Sequence, residues 1–324
     1  MVLSIVIATS PNTSPQVFRA LLCHLVATTI ATVCRLTSYV KMSVARILVT
    51  GGAGFIGSHV AQAYLDRGDE VVIVDNLSSG KRANIPPGAE FLELDIRAEK
   101  VGKLIRKGRF DLVNHHAAQL DVRISVSDPR LDASINIDGL LNILEAARDG
   151  EVGRFLFVSS GGVVYGEPAQ RPTGELSAKL PLSPYGVSKL AGEQYLYYYS
   201  RVHGLDSVTL RYSNVYGPLQ NPHGEAGVVA IFCSRLLDGA PITIYGDGNQ
   251  TRDYIFVEDV ASANMLVSGM QLPSLTDHDS RAYNVGTGAA LSVNQLAKTL
   301  MSVTGQPTQI RSESERPGEL LHSS

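Results

Sequence analysis

The sequence predicts an α/β protein built on a doubly wound parallel sheet (a Rossmann arrangement), followed by a smaller, discontinuous substrate-binding part. Three observations carry this. Short, unbroken, β-branched apolar runs alternate with longer stretches of helical period from Arg46 onward. A glycine-rich turn, "TGGAGFIGS" at residues 50 to 58, directly follows the first run. After residue 213 the texture changes to loops rich in Gly, Pro and Asn. Alternation of this kind marks repeated βαβ units, and strands covered on both faces read as continuous apolar runs. At 324 residues the chain is long enough for one large α/β domain with a companion.

Taken in order, strands are expected at "RILVT" (46–50), "VVIVD" (71–75), "EFLEL" (90–94), "DLVNH" (111–115), "RFLFVS" (154–159) and "SVTLR" (207–211). Helices are expected near 55–67, 99–107, 134–149 and 184–203. Beyond residue 213 come a helix near 226–238 and a short strand in "PITIYGDG", and "YNVGTG" (283–288) reads as a buried strand that rejoins the main sheet. The expected division is therefore 43–213 for dinucleotide binding and 214–324 mainly for substrate. Residues 1–42 differ in kind: they hold no Asp or Glu and carry an apolar stretch at 20–34. That stretch is shorter than the roughly 20 residues of a spanning helix, and no basic segment precedes it. Met42 lies four residues before the first strand, so a start placed too early is expected, with an organelle-targeting peptide as the alternative.

Composition sets further bounds. The chain is 44% hydrophobic and 18% charged with a net charge of −3, which offers no basic footprint for nucleic acid. Cys23, Cys34 and Cys233 have neither metal-ligand spacing nor an even-numbered framework. No zinc or other metal is expected, and a reducing, cytoplasmic setting is. No membrane partner is expected either.

The glycine turn carries the first chemistry. A strand, then Gly51, Gly54 and Gly57 at three-residue intervals, then a helix, is a shifted form of the dinucleotide fingerprint. The first glycine permits the turn, the second lets main chain approach a pyrophosphate, and the third lets the helix lie close on the sheet. The amides of the first helical turn, at Phe55 and Ile56, then meet the negative charge. Asp75 ends the second strand near the ~20-residue offset at which an acid accepts ribose hydroxyls. A carboxylate there favours NAD over NADP, because it repels a 2′-phosphate. Asp95, ending the third strand, is placed to reach the adenine, although an exposed acid at a strand end serves as well without a ligand.

"SPYGVSKLAGE" at 183–193 puts Tyr185 and Lys189 four apart on one helix face. A phenol near pKa 10 is a poor base at neutral pH, and a nearby ammonium and a positive nicotinamide would lower it. The pair follows the fifth expected strand, at whose carboxyl end a parallel sheet opens its ligand crevice.

With these stretches the chain resembles the extended short-chain dehydrogenase/reductase family, most closely its NAD-dependent UDP-glucose 4-epimerases and their nucleotide-sugar relatives. Further matching stretches are "VDNLSSGKR", "HHAAQLDVRISVSDP", "VSSGGVVYGE", "LRYSNVYGP", "NPHGEAGVV" and "GDGNQTRDYIFVEDVA". The resemblance implies that Tyr185 takes the proton of a sugar 4-hydroxyl while hydride passes to tightly held NAD and returns to the other face of a 4-keto sugar. Lys189 would be its electrostatic partner and hold the nicotinamide ribose. Where relatives carry a hydroxyl four residues before the Tyr of "VYG", this chain has Gly161, so Ser160 is assigned that contact, with Ser159 at the strand end beside it. The resemblance also assigns Asn76 and Ser79 to the adenosine ribose, Ile96 to the adenine, and His116, Ala117, Ala118 and Ser159 to the cofactor cleft. Asn136 goes to the nicotinamide side and Tyr212 to the nicotinamide.

For the substrate the resemblance implies a UDP-sugar, with Asn214, Arg252 and Arg316 on the diphosphate and Thr243 and Tyr245 at the uracil. A lysine of some relatives is Leu120 here, with Arg123 as a substitute. The helices near 134–149 and 184–203 form a homodimer bundle in relatives, and the family continues for several tens of residues where this chain stops at Ser324, so a truncated C-terminus is expected. Gly162 and Val163 stand where 4,6-dehydratases carry an Asp-Glu pair, which argues against water expulsion. A UDP-glucuronate epimerase or decarboxylase, and a non-catalytic NAD-binding sensor or scaffold, are the alternatives.

Overall fold

The computed structural model describes residues 44–222, 227–315 and 320–324; the expectations for residues 1–42 and for Arg316 fall outside them. Six strands come first: β1 (Arg46–Thr50), β2 (Glu70–Asp75), β3 (Glu90–Glu93), β4 (Leu112–His115), β5 (Arg154–Ser160) and β6 (Ser207–Tyr212). Then follow β7 (Asn214–Tyr216), β8 (Ile242–Tyr245), β9 (Thr251–Phe256), β10 (Ala282–Val285), β11 (Ala290–Ser292) and β12 (Ile310–Glu313). The main sheet runs β10-β6-β5-β4-β1-β2-β3, and each of its neighbouring pairs is parallel. Of the run expected at 283–288, residues up to Val285 lie in β10, which pairs with β6.

Side chains alternate along each strand, and both faces of the sheet are covered. Leu48, Val72, Val74, Val113 and Phe157 pack on one face against the helices α2 (Glu99–Gly108), α5 (Gly139–Asp149) and α6 (Pro184–His203). Ile47, Val49, Ile73 and Leu210 pack on the other against α1 (Phe55–Arg67) and α8 (Val257–Gly269). Each such side chain, fully withdrawn from water, contributes about 1.5–3 kcal/mol. That is why unbroken Val/Ile/Leu runs here become central strands. A third apolar cluster joins α7 (Val228–Leu237), β8 and α9 (Val293–Thr304) through Phe232, Ile242, Ile244 and Leu296. The strand set β11-β9-β7 and the pair β12-β8 form two small sheets beside it.

The expected helix at 134–149 is longer and less regular than its apolar period suggests. Two short helices, α3 (Val122–Ser127) and α4 (Pro129–Ala133), precede it, and residues Ser134–Asp138 form a π-helical turn before α5. Asp128 starts α4 by accepting the Leu131 amide at 3.0 Å, with Pro129 in the first turn where its missing N–H costs nothing. No helix among the described residues is long and apolar enough to cross a membrane. Nor does any group of three or more His, Cys, Asp or Glu among them suit a metal ion.

Candidate active site

Strand order reverses at β1, with β2 on one side and β4 on the other, and in such sheets the crevice opens at the carboxyl ends of those strands. A cleft of about 840 Å³ lies there. Its floor is the glycine turn. Gly51 has φ +71°, a left-handed conformation, and a Cβ on it would stand 2.6 Å from the Ala117 amide nitrogen after β4. A Cβ on Gly57 would stand 2.3 Å from the Gly51 carbonyl oxygen, so the close seat of α1 against the turn requires glycine. Gly54 caps α1 with extended backbone and without a side-chain hydrogen bond. The first amides of the helix, at Phe55 and Ile56, therefore remain for a ligand at the cleft wall.

Asp75 ends β2 beside this turn and lines the cleft. Its two oxygens each accept one backbone N–H, from Ala53 at 3.0 Å and Leu77 at 2.8 Å. Burial pushes its carboxyl up against those bonds. A carboxylate has lone pairs left for a diol after two such contacts. Asn76 and Ser79 line the same end, with Ile96 buried beside them. Asp95 is there too, but Arg97 grips it through Nε at 2.9 Å and Nη2 at 2.7 Å and Asn76 donates to it at 3.2 Å. Those bonds from Arg97 hold it well below the usual carboxylate range, so its charge is already spent within the protein. Nearby, Arg82 is paired with Glu93 at 2.5 Å.

Further along, His116, Ala117 and Ala118 follow β4 on the cleft wall, and the Tyr212 ring lies 6.3 Å from that of His116. The Asn264 amide donates to the Tyr212 hydroxyl at 2.7 Å, which fixes the ring's outer end. Asn136 departs from expectation: it does not line the cleft. Its side chain sits one layer behind, in the π-helical turn, where its oxygen accepts the Gln119 amide at 2.9 Å and its nitrogen donates to the Gln119 carbonyl at 2.8 Å. It is Gln119 that reaches the wall.

Helix α6 begins where Ser183 accepts the Gly186 amide at 3.1 Å and Pro184 opens the first turn. Tyr185 consequently faces the cleft from the first turn and Lys189 from the second. The Lys189 ammonium donates to the Val158 carbonyl at 2.9 Å and stands 5.8 Å from the Tyr185 ring centre and 5.1 Å from that of Phe157. Burial pushes Lys189 down to about 8, while the charges of Asp132 and Glu193 pull it back up. Burial pushes the Tyr185 phenol up, and the Asp132 charge adds to that. The expected lowering of the phenol by Lys189 is therefore not seen in the protein alone.

The serines separate by strand alternation. Ser159 contributes to the wall, but its hydroxyl is turned away, donating to Glu193 at 2.5 Å. Ser160, on the opposite side of the strand end, lines the cleft. A Cβ on Gly161 would point at the Arg211 and Tyr212 carbonyls, at 3.3 and 3.5 Å, so a side chain there would start toward β6. Sequence reasoning missed Glu193 and Arg211. Glu193 lies one turn beyond Lys189 and two beyond Tyr185, a spacing that could have flagged it. Arg211, with no solvent exposure, donates to Glu193 at 2.6 Å, to Asp279 at 2.6 Å and to the Tyr165 hydroxyl at 2.9 Å.

At the far end stand Asn214 on β7, Thr243 and Tyr245 on β8, and Arg252 on β9, all lining the same cleft. The Arg252 guanidinium also donates to the carbonyls of Leu320 at 2.7 Å and Leu321 at 3.2 Å, which sets its direction. Arg123 lines the cleft as well, but is paired with Asp121 at 2.5 Å. Among the described residues, the carboxylates on the cleft wall are Asp75, Asp95 and Asp121, and Gly162 and Val163 bring none beside Tyr185.

The profile of the NAD dependent epimerase/dehydratase family matches residues 47–286. The chain belongs to that family. It is 41% identical over 283 residues to a UDP-glucose 4-epimerase of Mycolicibacterium smegmatis, spanning 86% of this chain and 88% of that one. Among solved structures it is similar to a UDP-glucose 4-epimerase of Thermotoga maritima crystallised with UDP-glucose, at 45% identity and TM-score 0.82, over 86% of this chain and 88% of that one. A UDP-glucose 4-epimerase of Thermus thermophilus in complex with NAD is similar at 44% identity and TM-score 0.80, over 86% and 89%. The residues present fit the family's cofactor: the bare glycine turn, the free first-turn amides of α1 and the Asp75 carboxylate suit a pyrophosphate and an unphosphorylated ribose.

Proposed function

We propose that this enzyme interconverts UDP-glucose and UDP-galactose through a 4-keto sugar. The observation that carries the reading is one continuous cleft with the dinucleotide turn at one end, Tyr185, Lys189 and Ser160 at its middle, and Arg252 at the other. Bound NAD supplies a hydride acceptor and, oxidised, a positive ring charge that favours a phenolate. Residues 43–213 would hold it, and 214–324 mainly the nucleotide sugar. The chain's own part is proton movement: Tyr185 Oη takes the 4-hydroxyl proton, Ser160 Oγ hydrogen-bonds the same oxygen, and Lys189 keeps the phenol's surroundings positive. Asn214 and Arg252 grip the diphosphate, Arg252 as a planar fork suited to phosphate oxygens. Among the described residues, the lack of a carboxylate on the cleft wall beside Tyr185 supports epimerisation over loss of water, which needs an acid for the leaving hydroxyl.

The test is a panel of UDP-sugars incubated with the purified protein and resolved by chromatography. Interconversion of the two hexoses with NAD retained is expected; retained NAD with every UDP-hexose unchanged would sink the epimerase reading. We further propose a homodimer packed through α5 and α6, where Tyr195, Tyr198 and Val202 of α6 lie exposed. A solution mass measurement is expected to give twice the chain mass, and a monomer at all concentrations would contradict it. The cysteine spacing supports a cytoplasmic setting.

A further inference from the structure

Behind the Tyr185–Lys189 face lies a carboxylate for which the reaction so far has no use. Asp132 of α4 has no solvent exposure. Its Oδ1 accepts from Gln119 Nε2 and Asn136 Nδ2, each at 3.0 Å, and its Oδ2 accepts from Ser188 Oγ at 2.6 Å. All three donors are neutral. An anion fully out of water and held by neutral donors alone is costly unless a cation stands in electrostatic reach. Ser188 sits between Tyr185 and Lys189 in the chain, and Lys189, itself buried, is the cation whose charge Asp132 meets.

We propose that Asp132 is a positioning residue of the catalytic centre: its carboxylate is the counter-charge for the Lys189 ammonium, and its hydrogen bonds lock α6 to the π-helical turn that carries Asn136. The other ionisable groups around the pair have other work. Glu193, further along α6, is bound by Arg211 and Ser159. His115, the last residue of β4, and His116 just after it are each pushed down to about 3 by burial and Lys189, and so are neutral. Asp121 and Arg123, before and in α3, pair with each other. Arg130 of α4, Asp128 before it and Asp138 of the π-helical turn are exposed. Asp132 thus opposes the phenolate while supporting the ammonium, which places both ionisations under one buried charge.

The proposal rests on Tyr185 being the base, and the experiment separates the two. Asp132→Asn keeps all three contacts, since its oxygen still accepts from Gln119 and Asn136 and its amide donates to the Ser188 hydroxyl; only charge is lost. Both limbs of the pH–rate profile are expected to move to lower pH by about one unit. In the NAD-bound protein, the phenolate absorbance that disappears in Tyr185→Phe is expected to show the same shift. Asp132→Glu restores the native midpoints, and Ser188→Ala, which removes a hydrogen bond but no charge, leaves them in place. Unmoved midpoints in Asp132→Asn, or an equal shift in Ser188→Ala, would overturn the role of Asp132. Full activity in Tyr185→Phe would instead overturn the base, while the absorbance midpoint still decides the counter-charge.

Discussion

Tyr185→Phe is expected to lower turnover by about 10²- to 10⁴-fold, the contribution of a positioned proton acceptor, while NAD remains bound. The two halves of that expectation come from different parts of the cleft. The phenol faces the middle of the cleft from the first turn of α6, whereas the features that suit a pyrophosphate and ribose are the glycine turn, α1 and Asp75. Deleting one hydroxyl leaves the ring, the helix and the turn as they were. Nicotinamide released on denaturing the purified variant should match the native amount, and steady-state rates should collapse with KM little changed. Native turnover in the variant would remove Tyr185 from the chemistry; loss of NAD would make it a cofactor-binding residue instead.

Arg211→Met is expected to cost about 3–5 kcal/mol of stability, the usual consequence of leaving a buried charge without its partner. Glu193 is 2% exposed and receives both the Nε and Nη2 hydrogen bonds of Arg211. Burial works against the arginine's charge, but Glu193 and Asp279 raise its pKa all the same, so the guanidinium stays charged. Without the guanidinium, Asp279 keeps Lys179, whereas Glu193 keeps only the Ser159 hydroxyl. The double variant Arg211→Met/Glu193→Gln should recover much of the loss, because exchanging a whole buried pair is often near neutral. Urea unfolding measures both; a single-variant cost under about 1 kcal/mol would mean that water reaches the cluster.

The main sheet was legible because its strands are buried on both faces and so appear as unbroken apolar runs. "RILVT" and "VVIVD" lie on β1 and β2 nearly residue for residue. The glycine turn was legible for a related reason: three glycines at that spacing have few uses apart from close backbone contact. Reading stopped short where function depends on which way one residue faces. Ser159 and Ser160 are adjacent, chemically alike and both on the cleft wall, and only the register of β5 shows that the Ser159 hydroxyl turns to Glu193. Asn136 carries the right side chain for a crevice residue, but the widened helical turn around it aims the amide at Gln119. Asp132 reads as an ordinary polar position, because its partners Gln119 and Ser188 are 13 residues before it and 56 after it. Asp95 lines the cleft, yet Arg97, two residues on, already pairs with it.

The arrangement around Arg211 also bears on the order in which the chain can mature during synthesis. β6 is flanked by β5 and β10, and Asp279 lies 68 residues beyond Arg211. Until that later stretch has left the ribosome, β6 is an open sheet edge, a template for pairing with another chain, and one arm of the guanidinium lacks its acid. The cleft wall beside β6 is therefore among the last parts of the molecule to become sound, although most of its residues are translated early. A nascent chain paused before residue 279 would be the form most in need of a chaperone.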